Sequence, residues 1–146
     1  MQLVIPTLSR SDRTLLALSL AFFAVAGVAN TAVDANYQSL FAVTVAIAGV
    51  YGVATYAKTV NRVTLARVSF ALWWAFLSVA AAHLVGLQTV AGYTPLPADV
   101  ATTVLVAATW ATLLGASAST AFLGFREYGA HSSSGTDTPE DRILDL

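Results

Sequence analysis

The chain contains no cysteine. That removes disulfides, thiolate-held zinc, iron–sulfur clusters and thiol catalysis together. Charge is scarce as well: 10% of the 146 residues are Asp, Glu, Lys or Arg, against about 25% in soluble chains. A soluble domain of this size could not cover its surface with so few. One lysine, Lys58, stands beside six arginines, and the two histidines are His83 and His131. The net charge of −1 gives no whole-chain field toward nucleic acid, and no specific nucleic-acid binding is expected. Proline occurs only at Pro6, Pro95, Pro97 and Pro139.

Apolar residues fill the chain instead, at 57% with a mean hydropathy of +0.71. A helix needs about 20 predominantly apolar residues to cross a hydrocarbon core about 30 Å thick. Four segments qualify, at residues 14–33, 37–57, 68–87 and 98–125, and none carries a charge in its middle. No strand-like alternation competes, so the fold class is all-α: a polytopic membrane protein with a four-helix antiparallel transmembrane bundle. Residues 1–13 form an interior N-terminal segment, 14–128 the transmembrane domain and 129–146 a flexible acidic tail.

The punctuation agrees. Ser11 and Asp12 are placed to cap the first helix. Asp34, Ala35 and Asn36 leave a turn so short that spans one and two form a hairpin. Residues 58–67 read as a polar connector, and residues 88–97, with Gly92, Pro95 and Pro97, as a loop. Asp99 suits the positive end of the fourth helix. Arg10 and Arg13 precede span one; Lys58, Arg62 and Arg67 lie between spans two and three; Arg126 and Arg142 follow span four. All seven basic residues fall on one side, which makes both termini interior. Tyr37, Tyr56, Tyr93, Phe125 and Tyr128 lie where interfacial belts are expected. Trp73, Trp74 and Trp110 read as deeper packing or lipid contacts. Arg10 and Arg13 followed by an apolar run and Ala24-Val25-Ala26 imitate a signal peptide. The run is long for one, and the hairpin reads better with span one retained.

Close approach of small residues associates helices in lipid. Span four carries Ala107, Ala111, Gly115 and Ser119 in one row, the expected packing face, with Ala108, Thr112, Ala116 and Thr120 beside it. Gly49 and Gly52 do this for span two, and Ala71, Ala75, Ser78, Ala82 and Gly86 for span three. The reading is an intramolecular bundle, with self-association through span four as the sharper version.

Chemistry is sparse. Asp34, Asp99 and His83 lie toward the outer interface, and Asn30, Thr31, Asn36 and Gln38 surround the first outer turn. A His83–Asp99 or His83–Asp34 pair would relay protons, and the plainer reading is an interfacial histidine. No His/Asp/Glu set has metal-ligand spacing and no phosphate loop is present. No catalytic residue, metal or cofactor is therefore expected. Lys58, Arg62 and Arg67 are the expected interior-facing contacts, to lipid headgroups in the plain reading. The stretch 131–146 carries about −3 and ends in Ile143, Leu144 and Leu146, either a solvated tail or a dock for a partner.

Four spans, interior termini, no catalytic groups and an Ala/Val/Thr-rich composition of the kind GC-rich genomes such as those of haloarchaea produce together resemble a known class. It is the small internal membrane protein of haloarchaeal pleomorphic viruses, the pleolipoviruses. The resemblance covers residues 14–125 and rests on architecture and composition. It implies a non-enzymatic structural protein of the viral envelope, located in the virion membrane and the host cell membrane. Its partners would be the lipid bilayer and a spike or other envelope protein, with Lys58, Arg62, Arg67 and the tail facing the interior. The alternatives are a cellular membrane-complex subunit or small carrier, and a holin-like pore former using Thr102, Thr109, Thr112, Ser119 and Thr120 as a polar stripe.

Overall fold

The computed structural model describes residues 9–30 and 36–133, and among them helix is the only regular structure. The first helix, α1 (Arg10–Asn30), opens on a reciprocal pair. The Asp12 N–H donates to Ser9 Oγ at 3.1 Å, and the Ser9 N–H donates to Asp12 Oδ2 at 3.3 Å. This capping box satisfies two N–H groups that the first turn leaves without helical partners. The cap is thus Ser9 with Asp12, not Ser11 with Asp12, and the helix starts earlier than the apolar run.

Helices α2 (Asn36–Thr59) and α3 (Arg62–Val85) are joined by Val60 and Asn61 alone. Asn61 Oδ1 accepts the Thr64 N–H at 2.8 Å and caps α3. The expected polar connector is therefore nearly all helix, with Lys58, Arg62 and Arg67 on helical turns. Gly86 ends α3 at φ +101°, a backbone region that favours glycine, and its N–H donates to the carbonyls of Ala82 and His83. Beyond it a short helix, α4 (Leu87–Gly92), occupies part of the expected loop. It packs against the last helix, α5 (Ala98–Ser133), and Ala91 and Ala101 are both buried.

α5 has 36 residues and is about 54 Å long, well over the hydrocarbon thickness. It continues through residues 129–133, where a flexible tail is expected; residues 134–146 lie outside the described part. Residues 31–35, where the sequence predicts a turn with Asp34, lie outside it too.

α5 is the hub. It packs on α1, α2, α3 and α4, while α1 also packs on α2 and α3 on α4. α1 and α3 run antiparallel to α5, and α1 runs antiparallel to α2. α2 and α3 meet only at their joined end, where Tyr56, Ala57 and Val60 cluster with Leu65. Glycines set the close approaches. On α2, the face of Gly49 receives the Phe23 ring of α1, so near that a Cβ would lie 2.6 Å from it. Gly52 receives the Ser19 hydroxyl, and Gly27 of α1 receives Trp110 of α5. Gly115 of α5 receives Leu20 of α1 and stands beside Leu72 of α3.

On the expected packing face of α5, Gly115 and Ser119 are buried and Ala107 and Ala111 half-buried, and buried Ala116 comes from the adjacent row. The small-residue row expected on α3 is buried only in part: Ala75, Ala82 and Gly86 are half-buried, Ala71 and Ser78 are exposed, and the buried residues of α3 are Leu65, Ser69 and Leu72. Four helices, α1, α2, α3 and α5, are long and apolar enough to cross a membrane. The chain is a multi-pass integral membrane protein built as an antiparallel four-helix bundle.

Candidate functional site

The local chemistry gathers at one end. The start of α1, the end of α2, the start of α3 and the late turns of α5 bring together Arg10, Arg13, Lys58, Arg62 and Arg126. The side chain of Arg126 is fixed by backbone: its Nη1 donates to the Ala57 carbonyl at 3.0 Å and to the Val60 carbonyl at 2.9 Å. Carbonyls in the last turn of a helix lack helical partners, so Arg126 both caps α2 and ties α5 to it. Arg62 pairs with Glu127 of α5, with the Arg62 side chain 68% exposed. A pair so open to water contributes about 0–1 kcal/mol. Lys58 and Arg67 are exposed and have no ion-pair partner among the described residues. Of the three expected interior-facing cations, the structure sets Lys58 beside Arg126 and Arg62 beside Glu127, with Arg67 a turn further along α3.

Between α2 and α5, Lys58 and Arg126 stand over an open groove of about 350 Å³ walled by Ala54, Ala57, Phe122 and Phe125. The two phenyl rings meet edge to face, with centroids 6.2 Å apart. Nearby, Tyr56 is fully buried and its hydroxyl has no hydrogen-bond partner. At the opposite end a smaller cavity of about 170 Å³ lies among α1, α2 and α5, lined by Ala26, Ala42, Ala46, Trp110 and neighbouring apolar residues, with Asn30 at its rim.

Most hydroxyls within the spans bond back to their own helices. Thr44, Thr55, Ser78, Thr102 and Thr109 each donate to the carbonyl four residues earlier. Ser19 and Thr112 do the same. His83 Nδ1 stands 3.0 Å from the Val79 carbonyl of its own helix, and no ion pair joins it to Asp99 among the described residues. One network crosses between helices. Thr120 of α5 donates to its own Ala116 carbonyl at 2.7 Å. Its oxygen then accepts the Trp73 indole N–H at 3.0 Å and lies 2.7 Å from Ser69 Oγ of α3. With the Thr120 proton committed, Ser69 is the donor of that last bond, and every site on the Thr120 hydroxyl is filled.

Sequence reasoning did not find this clamp or the capping role of Arg126. A signal existed for each: a serine one turn before a tryptophan in an apolar helix, and a lone arginine directly after an apolar run. No family model, curated protein or solved structure matches the chain.

Proposed function

We propose that the chain is a non-catalytic structural protein of a lipid membrane, with its cation-bearing end facing the interior of an enveloped particle or of the cell that makes it. The observation that carries this reading is the disposition of polar groups. In a bilayer, polar side chains that serve transport or chemistry face a cavity or a water path. Here most hydroxyls of the spans, Ser117 and Tyr56 apart, are committed to carbonyls of their own helices or to the Ser69–Trp73–Thr120 contact. The threonines of α5 that would line a pore are among them, which favours a structural role over a holin-like one. The one-sided cations favour an interior orientation for both termini. The resemblance to the internal envelope protein of pleolipoviruses supplies the particle in question, with spike or other envelope proteins as partners in the same membrane.

The test is protease protection of intact membranes and of purified particles, with the cut sites mapped by mass spectrometry. The expected result is that the chain is present in particles and that the 134–146 segment is cut only after detergent is added. Cleavage from outside, or absence from particles, would overturn the reading in favour of a cellular membrane subunit. Efflux of a trapped dye from liposomes holding the purified protein would establish a pore instead.

A further inference from the structure

The groove between the end of α2 and the late turns of α5 combines two kinds of surface. Its wall is apolar, from Ala54, Ala57, Phe122 and Phe125, and its mouth carries Lys58 and Arg126. Both cations belong to the end of the bundle where the other described cations gather, which is headgroup depth for a chain spanning the bilayer. We propose that this groove binds one anionic phospholipid, its phosphate held between Lys58 and Arg126 and the upper part of an acyl chain laid along Phe122 and Phe125. The inference depends on the chain spanning a membrane and is independent of whether that membrane is a viral envelope.

Three features favour a bound lipid over diffuse attraction. Arg126 is preorganised, because its Nη1 protons are held by the carbonyls of Ala57 and Val60. The Nε and Nη2 protons remain for an anion, and a guanidinium presents them as a planar fork suited to phosphate. Glu127, the one acidic neighbour in sequence, is engaged by Arg62 of α3. Lys58 has no ion-pair partner among the described residues. The edge-to-face pairing of Phe122 and Phe125 gives the wall a fixed shape, and a groove of about 350 Å³ accommodates a phosphate with a stretch of chain but not a whole lipid. The rest of the lipid remains in the bilayer.

The experiment is native mass spectrometry of the full chain released from nanodiscs containing equal phosphatidylglycerol and phosphatidylcholine, with circular dichroism as the check on folding. The wild type is expected to retain one phosphatidylglycerol in preference to phosphatidylcholine. Lys58→Gln should weaken that preference about fivefold, the weight of one cation beside an anionic headgroup, with helicity unchanged. Ala54→Phe keeps both cations and fills the groove, so it should abolish the preference as well. If Ala54→Phe leaves the preference intact, the attraction belongs to the charged surface and the groove is not a site. Displacement of the lipid by excess inorganic phosphate would show an anion site without a chain-binding wall and would equally overturn the proposal. Equal retention of the two lipids by the wild type would do so directly.

Discussion

Replacing Thr120 with valine tests the contact that joins α3 to α5. The side chains are close in shape, so the substitution removes the hydroxyl with little change in packing. Two interhelical bonds are lost, from Ser69 and from the Trp73 indole. Their fates differ. Ser69 can turn its hydroxyl onto the carbonyl one turn back on its own helix, as other hydroxyls of this protein do. The indole N–H is a donor only and has no such retreat; Trp73 borders the lipid-facing surface, where no acceptor replaces the lost one. Interhelical bonds in membrane proteins contribute about 0.6 kcal/mol on average and about 1.7 at most. Two of them place the expected loss at about 1–2 kcal/mol, and most of it is assigned to Trp73. The measurement is reversible unfolding in mixed dodecyl maltoside and SDS micelles. Thr120→Ser should behave as wild type, and Ser69→Ala should cost less than Thr120→Val. In the double-mutant cycle, Trp73→Phe and Thr120→Val should be coupled by at least about 0.5 kcal/mol. A Thr120→Val variant within about 0.3 kcal/mol of wild type, with no coupling, would show that the clamp contributes nothing in lipid.

Other substitutions probe the remaining contacts. Tyr56→Phe removes a buried hydroxyl that has no partner, so the variant should be as stable as wild type or more stable by about 1 kcal/mol in the same unfolding assay. A clear loss would mean that the hydroxyl is bonded in the membrane. Arg126→Met uncaps α2 and should cost about 1–2 kcal/mol, whereas Glu127→Gln, at an exposed ion pair, should stay within about 0.5 kcal/mol; the reverse ranking would assign the helix tie to the ion pair. Gly27→Leu places a side chain where Trp110 already lies, and the resulting overpacking should cost about 1–3 kcal/mol or more with a shift in tryptophan emission. Unaltered emission and stability would refute the close approach of α1 and α5.

The spans were legible in the sequence because hydropathy and length decide which segments enter a bilayer. Which helix sits beside which was not. In a soluble bundle the apolar stripe marks the buried face, but in lipid both faces are apolar and periodicity loses that meaning. Small residues carry the information instead, and alanine is so common here that it misleads. Ala71 and Ser78 matched the small-residue spacing and yet are exposed, while Leu65, Ser69 and Leu72 dock α3. Glycine is the better guide, though not a sufficient one. Gly27, Gly49, Gly52 and Gly115 each receive a side chain from a neighbouring helix, whereas Gly92, Gly124 and Gly129 face open space. The cations were legible as an orientation signal, but their individual roles were not. Nothing local to Arg126 reveals that the carbonyls it caps lie more than sixty residues earlier in the chain, at Ala57 and Val60.

The arrangement of the helices bears on the role as much as the site does. The α1–α2 pair is held to α5 through glycine notches. α3 meets α5 through Leu72 and the hydroxyl–indole contact, and it approaches α2 only at their joined end. α3 therefore has one long neighbour, and Phe70, Trp74, Leu77 and Leu84 lie on its exposed surface. A chain that hangs α1 and α3 on a single long helix, with α2 largely on α1, spreads its side chains into the surrounding lipid. α5 is the longest of the described helices, and Arg126 stands level with the end of α2. The seven residues from there to Ser133 carry α5 about 10 Å past the end of α2 on the cation-bearing side. That projection sets the final turns of α5 clear of the end of α2, beside the Arg62–Glu127 pair.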